Sequence, residues 1–256
     1  MSGKFQASER ARESIRQRAR VNEARVLPST WEHKSRTINI SAGRSGDYVQ
    51  RCIVGTIGKY IPRGVDITLQ FADGTGTWDS QTINFDGFYG GGRIIAQGNT
   101  GDAEGLNITR SVTLQNANTT LIKIRGCSVQ FLIQHLRLRG NPACIDIQDS
   151  PGRVFVRWCD IMAYGTGSDC IVASGAFNLQ VQETVLRDGD YGVYMDGPGL
   201  AFLQGNGEST GTAALQYGYW AQGGAFGGVD GIYPSGGVGD VGYDNGGFLI
   251  QSSGGW

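Results

Sequence analysis

Two acidic residues, Asp160 and Glu183, are the pair in this chain best spaced for bond cleavage. Glycoside hydrolysis uses two carboxyl groups about 5 to 10 Å apart, one protonating the leaving oxygen and one attacking or activating water. Under the repeat described below, Asp160 and Glu183 fall one rung apart, slightly offset, and both are expected to face outward. Asp188 and Asp190 are closer in sequence, but Arg187-Asp188-Gly189-Asp190 reads as a turn. All four also fit ordinary solvated surface acids, so Asp160 and Glu183 are candidates and no catalytic residue is assigned. Other chemistries lack their parts. There is no HExxH, CxxC or Walker loop, and His33 and His135 are the only histidines. Gly236-Gly237-Val238-Gly239-Asp240 resembles one calcium-binding nonapeptide, but its Asp comes one position early and nothing repeats it. No metal site and no cofactor are expected.

The elements that would carry these residues follow from a repeated apolar spacing. Ile122/Ile124, Ile145/Ile147, Ile171/Ala173, Val193/Met195 and Tyr219/Ala221 recur every 22 to 26 residues. A second motif has offsets 0, 2, 5 and 7. It reads Phe131, Ile133, Leu136, Leu138, then Val154, Val156, Cys159, Ile161, then Leu179, Val181, Thr184, Leu186. Alternate residues of a strand share one side, so each set is a short strand, a bend and a second short strand. Strand repeats of this length stack into a solenoid. The predicted fold is all-β, a right-handed parallel β-helix with an N-terminal helical arm; the hand follows the general preference of parallel crossovers.

Composition sets bounds. The chain has 256 residues, is 39% hydrophobic and 18% charged, and carries a net charge of −1. That balance gives no electrostatic case for nucleic acid. No apolar run approaches the ~20 residues of a membrane helix, so no membrane insertion is expected. The 42 glycines, half of them from Gly189 onward, suit solenoid corners. Cys52, Cys127, Cys144, Cys159 and Cys170 are odd in number, which argues for reduced thiols in a chain assembled in a cytoplasm. Cys159 sits in the repeated core pattern as a small hydrophobe. Cys144 and Cys170 precede equivalent positions and are expected on adjacent rungs, as thiols, a disulfide or metal ligands.

Four segments are expected. Residues 1–27 carry six Arg and one Lys against three Glu, a local charge of +4 that leaves −5 for the rest. Ala7, Ala11, Ile15, Ala19 and Val26 mark a thin helical stripe with Ser8 as its N-cap. The stripe is too narrow to bury much surface alone, and it reads as an anchoring arm (Arg10, Arg12, Ile15, Arg16, Arg18, Arg20) or as a disordered tail. Residues 28–64 are an entry and capping segment, irregular apart from one helix at 48–60. Residues 65–221 are the β-helix, opening with strands at 65–71, 82–85, 93–96 and 106–114. Residues 222–256 are Gly-rich closing rungs with strand signals at 231–233 and 248–250.

The outward residues form columns. One reads Lys123, Asp146, Val172, Tyr194, Trp220; another reads Leu132, Phe155, Gln180. The bend gives His135, Trp158, Glu183, flanked by Gln134, Arg157, Gln182, and a further column is Arg137, Asp160, Val185. Outward Trp158, Tyr194, Trp220 and Phe155 fit a subunit interface, a sugar-stacking platform, or surface covered by the chain's own loops.

From Gly43 onward the sequence resembles the β-helix proteins of bacteriophage tail fibres and tailspikes. The opening is Gly43-Arg44-Ser45-Gly46-Asp47, an amphipathic segment, then Ile61-Pro62-Arg63-Gly64-Val65-Asp66-Ile67-Thr68-Leu69. Phe71-Ala72-Asp73-Gly74-Thr75, Ile83-Asn84-Phe85-Asp86-Gly87-Phe88 and Arg93-Ile94-Ile95-Ala96-Gln97-Gly98 follow. Tyr217-Gly218-Tyr219-Trp220-Ala221-Gln222-Gly223-Gly224, Tyr233-Pro234-Ser235-Gly236 and Asn245-Gly246-Gly247-Phe248-Leu249-Ile250 are similar to its closing rungs. The resemblance implies a virion appendage, commonly a homotrimer, that contacts the host surface. Its expected partners are other copies of itself, other virion proteins through residues 1–27, and host cell-surface polysaccharide. The Asn-Thr-Asp, Asp-Asp and Gly-His-Gly signatures of pectinase-type β-helices are absent. The chain is also shorter than depolymerising spikes usually are. Both points favour a structural or adsorptive part over a polysaccharide lyase or glycosidase; a non-catalytic glycan-binding module is the other alternative.

Overall fold

The computed structural model describes residues 34–77, 81–106, 109–207, 215–230 and 236–252. They form a parallel β-helix whose strands stack in three columns. The first column runs β4 (Ile83–Asp86), β7 (Ile122–Arg125), the first half of β10 (Ala143–Arg157), the first half of β12 (Asp169–Gln182), β14 (Tyr191–Asp196), β16 (Leu215–Gln222) and β18 (Gly236–Tyr243). The second runs β1 (Arg36–Ile40), β2 (Asp66–Phe71), β5 (Arg93–Gln97), β8 (Gln130–Gln134), the second halves of β10 and β12, β15 (Leu200–Gln204), β17 (Phe226–Asp230) and β19 (Phe248–Ser252). The third is a five-stranded sheet of β3 (Gly74–Thr77), β6 (Val112–Asn116), β9 (Arg137–Gly140), β11 (Asp160–Ala163) and β13 (Val185–Arg187). The long strands β10 and β12 bend from the first column into the second, with a register shift between Gln148 and Arg153.

The period-2 reading fixes the register. Ile122, Ile145, Ile171, Val193 and Tyr219 lie side by side on successive rungs, and all are buried. Ile124, Ile147, Ala173, Met195 and Ala221 do the same. In the second column Phe131, Val154 and Leu179 align, as do Ile133, Val156 and Val181. Leu138, Ile161 and Leu186 align in the third. Each rung thus adds apolar side chains to one continuous core, and burying such a side chain contributes roughly 1.5–3 kcal/mol.

The strands expected at 65–71, 82–85 and 93–96 appear as β2, β4 and β5 with small end shifts. The one expected at 106–114 is confined to β6 among the described residues. Two strands ahead of the regular rungs were not expected. β1 lies in the segment read as irregular and pairs with β2, while β3 has a Gly-Thr-Gly-Thr sequence that reads as turn but is held by pairing with β6. β15, β17 and β18 extend the columns through Gly-rich sequence. The signal at 248–250 belongs to β19; the signal at 231–233 and the whole arm 1–27 lie outside the described residues.

The helix expected at 48–60 is α1 (Gly46–Thr56). It starts at Ser45, whose hydroxyl accepts from the Tyr48 amide at 3.2 Å, with Asp47 in its first turn. It stops early because Ile57 is extended and Tyr60 is drawn into a bridge with Tyr89. Val49 and Ile53 enter the core. On the same helix, the Gln50 side chain accepts from the Asn84 amide at 2.7 Å and donates to the Asn84 carbonyl at 3.2 Å. A side-chain amide thereby closes part of the edge of β4 that no strand among the described residues covers, which guards an otherwise sticky sheet edge.

The corners follow their own chemistry. His135 (φ 54), Trp158 (φ 52), Glu183 (φ 44) and Gly205 (φ 58) occupy equivalent left-handed positions between the second and third columns. Only the last is the residue type that adopts this region freely. Just inside this corner, the Cys159 thiol donates to the Arg157 carbonyl at 3.3 Å and the Thr184 hydroxyl to the Gln182 carbonyl at 2.9 Å. Asn206, fully buried, donates to the Val181 carbonyl at 3.0 Å and accepts from the Thr184 amide at 3.1 Å. Small polar side chains satisfy backbone groups at bends that the strand ladders leave. Outside the second column a side-chain ladder runs along the rod. Gln97 donates to Gln70 at 2.7 Å, Gln134 to Gln97 at 2.8 Å and Arg157 to Gln134 at 2.9 Å.

All five cysteines are free thiols. Burial pushes Cys159 and Cys170 up to about 12 and raises Cys127 and Cys144 as well. Thiolate is the reactive form. Iodoacetamide is therefore expected to label only the half-buried Cys52 in the folded protein, and all five cysteines after unfolding. Peptide mass spectrometry checks this, and labelling of folded Cys144 or Cys170 would contradict it.

Candidate functional site

Asp160 lies on β11 beside Arg137 of β9 and is outward in register, but its side chain is 0% exposed. Arg137 donates from Nε to Oδ2 at 2.7 Å. Arg187, at the end of β13, donates from Nε to Oδ1 at 2.8 Å and from Nη2 to Oδ2 at 2.7 Å. Three charge-assisted bonds occupy the carboxylate. The expectation that Asp160 faces solvent is corrected: the arginines of the rungs above and below roof it, and no water or substrate reaches it. Arg137, its neighbour in the column, thus pairs with Asp160, and Arg187 adds a second ion pair.

Glu183 is at the bend of the next rung. Its Oε2 accepts from the Trp158 indole at 3.0 Å and its Oε1 from Gln182 at 3.5 Å. The Trp158 ring packs against His135 at 5.0 Å and lies under the Arg157 guanidinium at 4.0 Å. Burial and the nearby Arg110 lower the His135 pKa, favouring neutral imidazole. The two acids are thus not brought to one open cleft: Asp160 sits beneath arginines and Glu183 holds an indole. Phe155 is half-buried between Leu132 and Gln180, with the Arg157 guanidinium 5.4 Å from its ring.

Tyr194 and Trp220 are neighbours on successive rungs, as the column predicted. They belong to a larger group that sequence reading missed. Tyr191 lies 5.2 Å from Tyr194, 5.9 Å from Tyr217 in a stacked arrangement, and 5.8 Å from Trp220; Tyr217 meets Trp220 edge-on at 4.8 Å. Strict alternation puts Tyr191 and Tyr217 inside with Val193 and Tyr219. Instead Gly192 and Gly218 are buried, Tyr191 and Tyr217 are half-buried, and their rings join those of Tyr194 and Trp220. The Trp220 ring lies over Gly242 of β18, where a Cβ would come within 2.4 Å of the indole.

Carboxylates and amides border these rings. Asp169 is the rung neighbour of Tyr191, and its Oδ1 accepts from the Tyr191 amide at 3.2 Å. Asp196 pairs with Gln222, whose amide donates to the Tyr194 hydroxyl and accepts from the Trp220 indole at 3.4 Å. Asp146 lies farther along the Tyr194 column, buried, with Oδ2 accepting from Gln148 at 3.0 Å and Oδ1 without a partner. Burial, then the neighbouring Asp190, pushes Asp169 up to about 6 from 3.8. A carboxyl whose folded pKa lies above its unfolded value binds more protons when folded. Its penalty is absent below pH 3.8 and grows as pH rises through about 6. Asp169→Asn is expected to raise stability at pH 7.5 by about 1–3 kcal/mol and to change little at pH 3.5. Urea midpoints at the two pH values check this.

A separate patch lies on the outer face of β15, β17 and β19. Leu200, Phe226 and Phe248 align, as do Phe202, Gly228 and Ile250. Leu200 is 58% exposed, Phe248 52% and Ile250 46%. The rings of Phe226 and Phe248 stack at 6.0 Å, and Leu200, Phe202, Phe226 and Ile250 line a depression of about 420 Å³. The anchoring residues Arg10, Arg12, Ile15, Arg16, Arg18 and Arg20 fall outside the described residues.

Comparison with protein-family models finds no match, nor does comparison with curated proteins or with solved structures.

Proposed function

We propose that this chain is a structural part of a virion appendage of the tail-fibre or tailspike kind. In this reading it docks through residues 1–27, associates with other copies of itself as a homotrimer, and contributes to host-surface attachment. The observation that carries the reading is the bare apolar stripe of Leu200, Phe202, Phe226, Phe248 and Ile250 on consecutive rungs of a β-helix. Rods packed side by side would turn that stripe into an interface core. The opening and closing motifs that resemble the phage proteins support the same reading. A polysaccharide-cleaving role for Asp160 and Glu183 is disfavoured, since arginines and an indole occupy both carboxylates.

Light scattering after size exclusion tests the association. The full chain is expected at trimer mass, and Phe226→Asp is expected to reduce it to monomer without loss of far-ultraviolet strand signal. A monomeric full chain would overturn the self-association. Incorporation into particles with and without residues 1–27 tests the arm; unchanged incorporation without it would remove the docking role.

A further inference from the structure

The bend column of His135, Trp158 and Glu183 lies beside the chain that leads from β5 to β6. The described residues of this strap are 98–106 and 109–111. Gly98 donates to the Gln134 carbonyl at 3.1 Å, and a Cβ there would come within 2.0 Å of the His135 carbonyl oxygen. At Gly105 a Cβ would stand 3.9 Å from Glu183 Oε2. The strap is also tied to itself. Asp102 accepts from the Ser111 amide at 2.8 Å and from its hydroxyl at 2.6 Å, and the Arg110 guanidinium donates to the Ala103 and Gly105 carbonyls.

His135 is 3% exposed, and its Nδ1 is buried without a partner. Arg110 is 4% exposed, and its Nε is in the same condition. A neutral imidazole leaves one lone pair unused there. An imidazolium puts a charge and an N–H donor in the same place, with no acceptor to receive it. The charged groups that bear on the ring are Arg110, Asp102 and Glu104 of the strap and Arg157 of the next rung. Both oxygens of Asp102 are already held by Ser111. Glu104 is exposed, and Glu183 is held by the Trp158 indole. The one carrier of positive charge buried with the ring is Arg110, which repels an imidazolium.

We propose that the strap is an acid-released cover, in which protonation of His135 lifts residues 98–106 from the bend and bares the Trp158 ring and Glu183. Burial first, then Arg110, holds His135 below its ordinary 6.5. The covered state therefore binds fewer protons than the lifted one. Cover is complete above pH 6.5 and is lost as pH falls from there through the lowered value, by up to about tenfold in the opening constant per pH unit.

The test uses the full chain at pH 7.5 and pH 5.0. Hydrogen exchange at the Gly98 amide, corrected for the intrinsic rate, is expected to speed up by about threefold or more at the lower pH. Hydroxyl-radical footprinting at Trp158 is expected to rise with it, while the amides of β12 keep their protection. His135→Asn accepts the left-handed conformation and is expected to show neither change. Asp169 is pushed up to about 6 and titrates in the same range, so Asp169→Asn is expected to keep both changes. A wild type that behaves alike at the two pH values, or the same response in His135→Asn, would overturn the proposal, as would its loss in Asp169→Asn. If His135→Asn fails to fold, nuclear magnetic resonance of the His135 ring in wild type decides, with His33→Gln to assign the signal. The ring is expected to titrate below 6.5 with the Gly98 amide following the same midpoint; a midpoint at or above 6.5, or a Gly98 signal that does not follow, would overturn it.

Discussion

Asp160→Ala is expected to lower the unfolding free energy by about 3–5 kcal/mol, a large part of the stability of a typical domain. The reason is asymmetric. With the carboxylate gone, Arg137 and Arg187 remain as two cations with side chains only 23% and 10% exposed, facing each other across an empty position. Asp160→Asn keeps the shape but loses the charge, and an amide nitrogen then opposes donor groups, so it is also expected to be clearly destabilising. Replacing all three residues together by Leu, Met and Met is expected to recover much of the loss, because a buried ion cluster contributes little net stability over well-packed apolar groups. Urea denaturation of the three variants checks the series. A fully stable Asp160→Ala would show that the triad does not hold the third column, and would reopen Asp160 to a chemical role.

Phe85→Ala is expected to have a comparable effect, about 3–5 kcal/mol, with a different signature. Phe85 is 2% exposed and meets Phe131 edge-on at 5.2 Å and Phe88 at 6.2 Å. It belongs to β4, which lies under α1 and whose described strand partner is β7. In a solenoid each rung contacts its neighbours, so stability is close to a sum of local and interface contributions. A cavity at Phe85 should loosen α1, β4 and the adjoining rungs before the rest. Hydrogen exchange is expected to show lost protection in α1, β2 and β4, with amides of β12 and β14 still protected. Uniform loss over the chain would mean that the rod unfolds as one unit.

The rungs were legible because two periods coincide: alternation within a strand and recurrence after one turn. Ile145 and Val154 satisfy both, and the observed register aligns them as expected. Features that break either period were not legible. Tyr191 and Tyr217 have inward parity, yet their rings join those of Tyr194 and Trp220, so half of the aromatic group was hidden. β3 has no apolar alternation, and its pairing with β6 decides its conformation. Asp160 shows a different limit. Register told which way it points from the core, but exposure depended on Arg187, a residue one rung farther on that had been read only as part of a turn. The left-handed conformations of His135, Trp158 and Glu183 carry no local sequence signal, since none is a glycine or asparagine.

The side-chain ladder of Gln70, Gln97, Gln134 and Arg157 bears on how the rod responds to force. In stacked rungs about 4.8 Å apart, backbone hydrogen bonds run along the rod while the chain runs across it. Tension applied end to end is therefore resisted by those bonds rather than by covalent backbone. Between β2 and β10 the ladder adds a line of side-chain bonds in the same direction, each donor pointing toward the earlier rung. Such a line shares load in parallel with the strand columns. Cutting it at an inner member, Gln97, would strip a partner from both neighbours at once, so the rungs around β5 would become the place where a stretched rod parts.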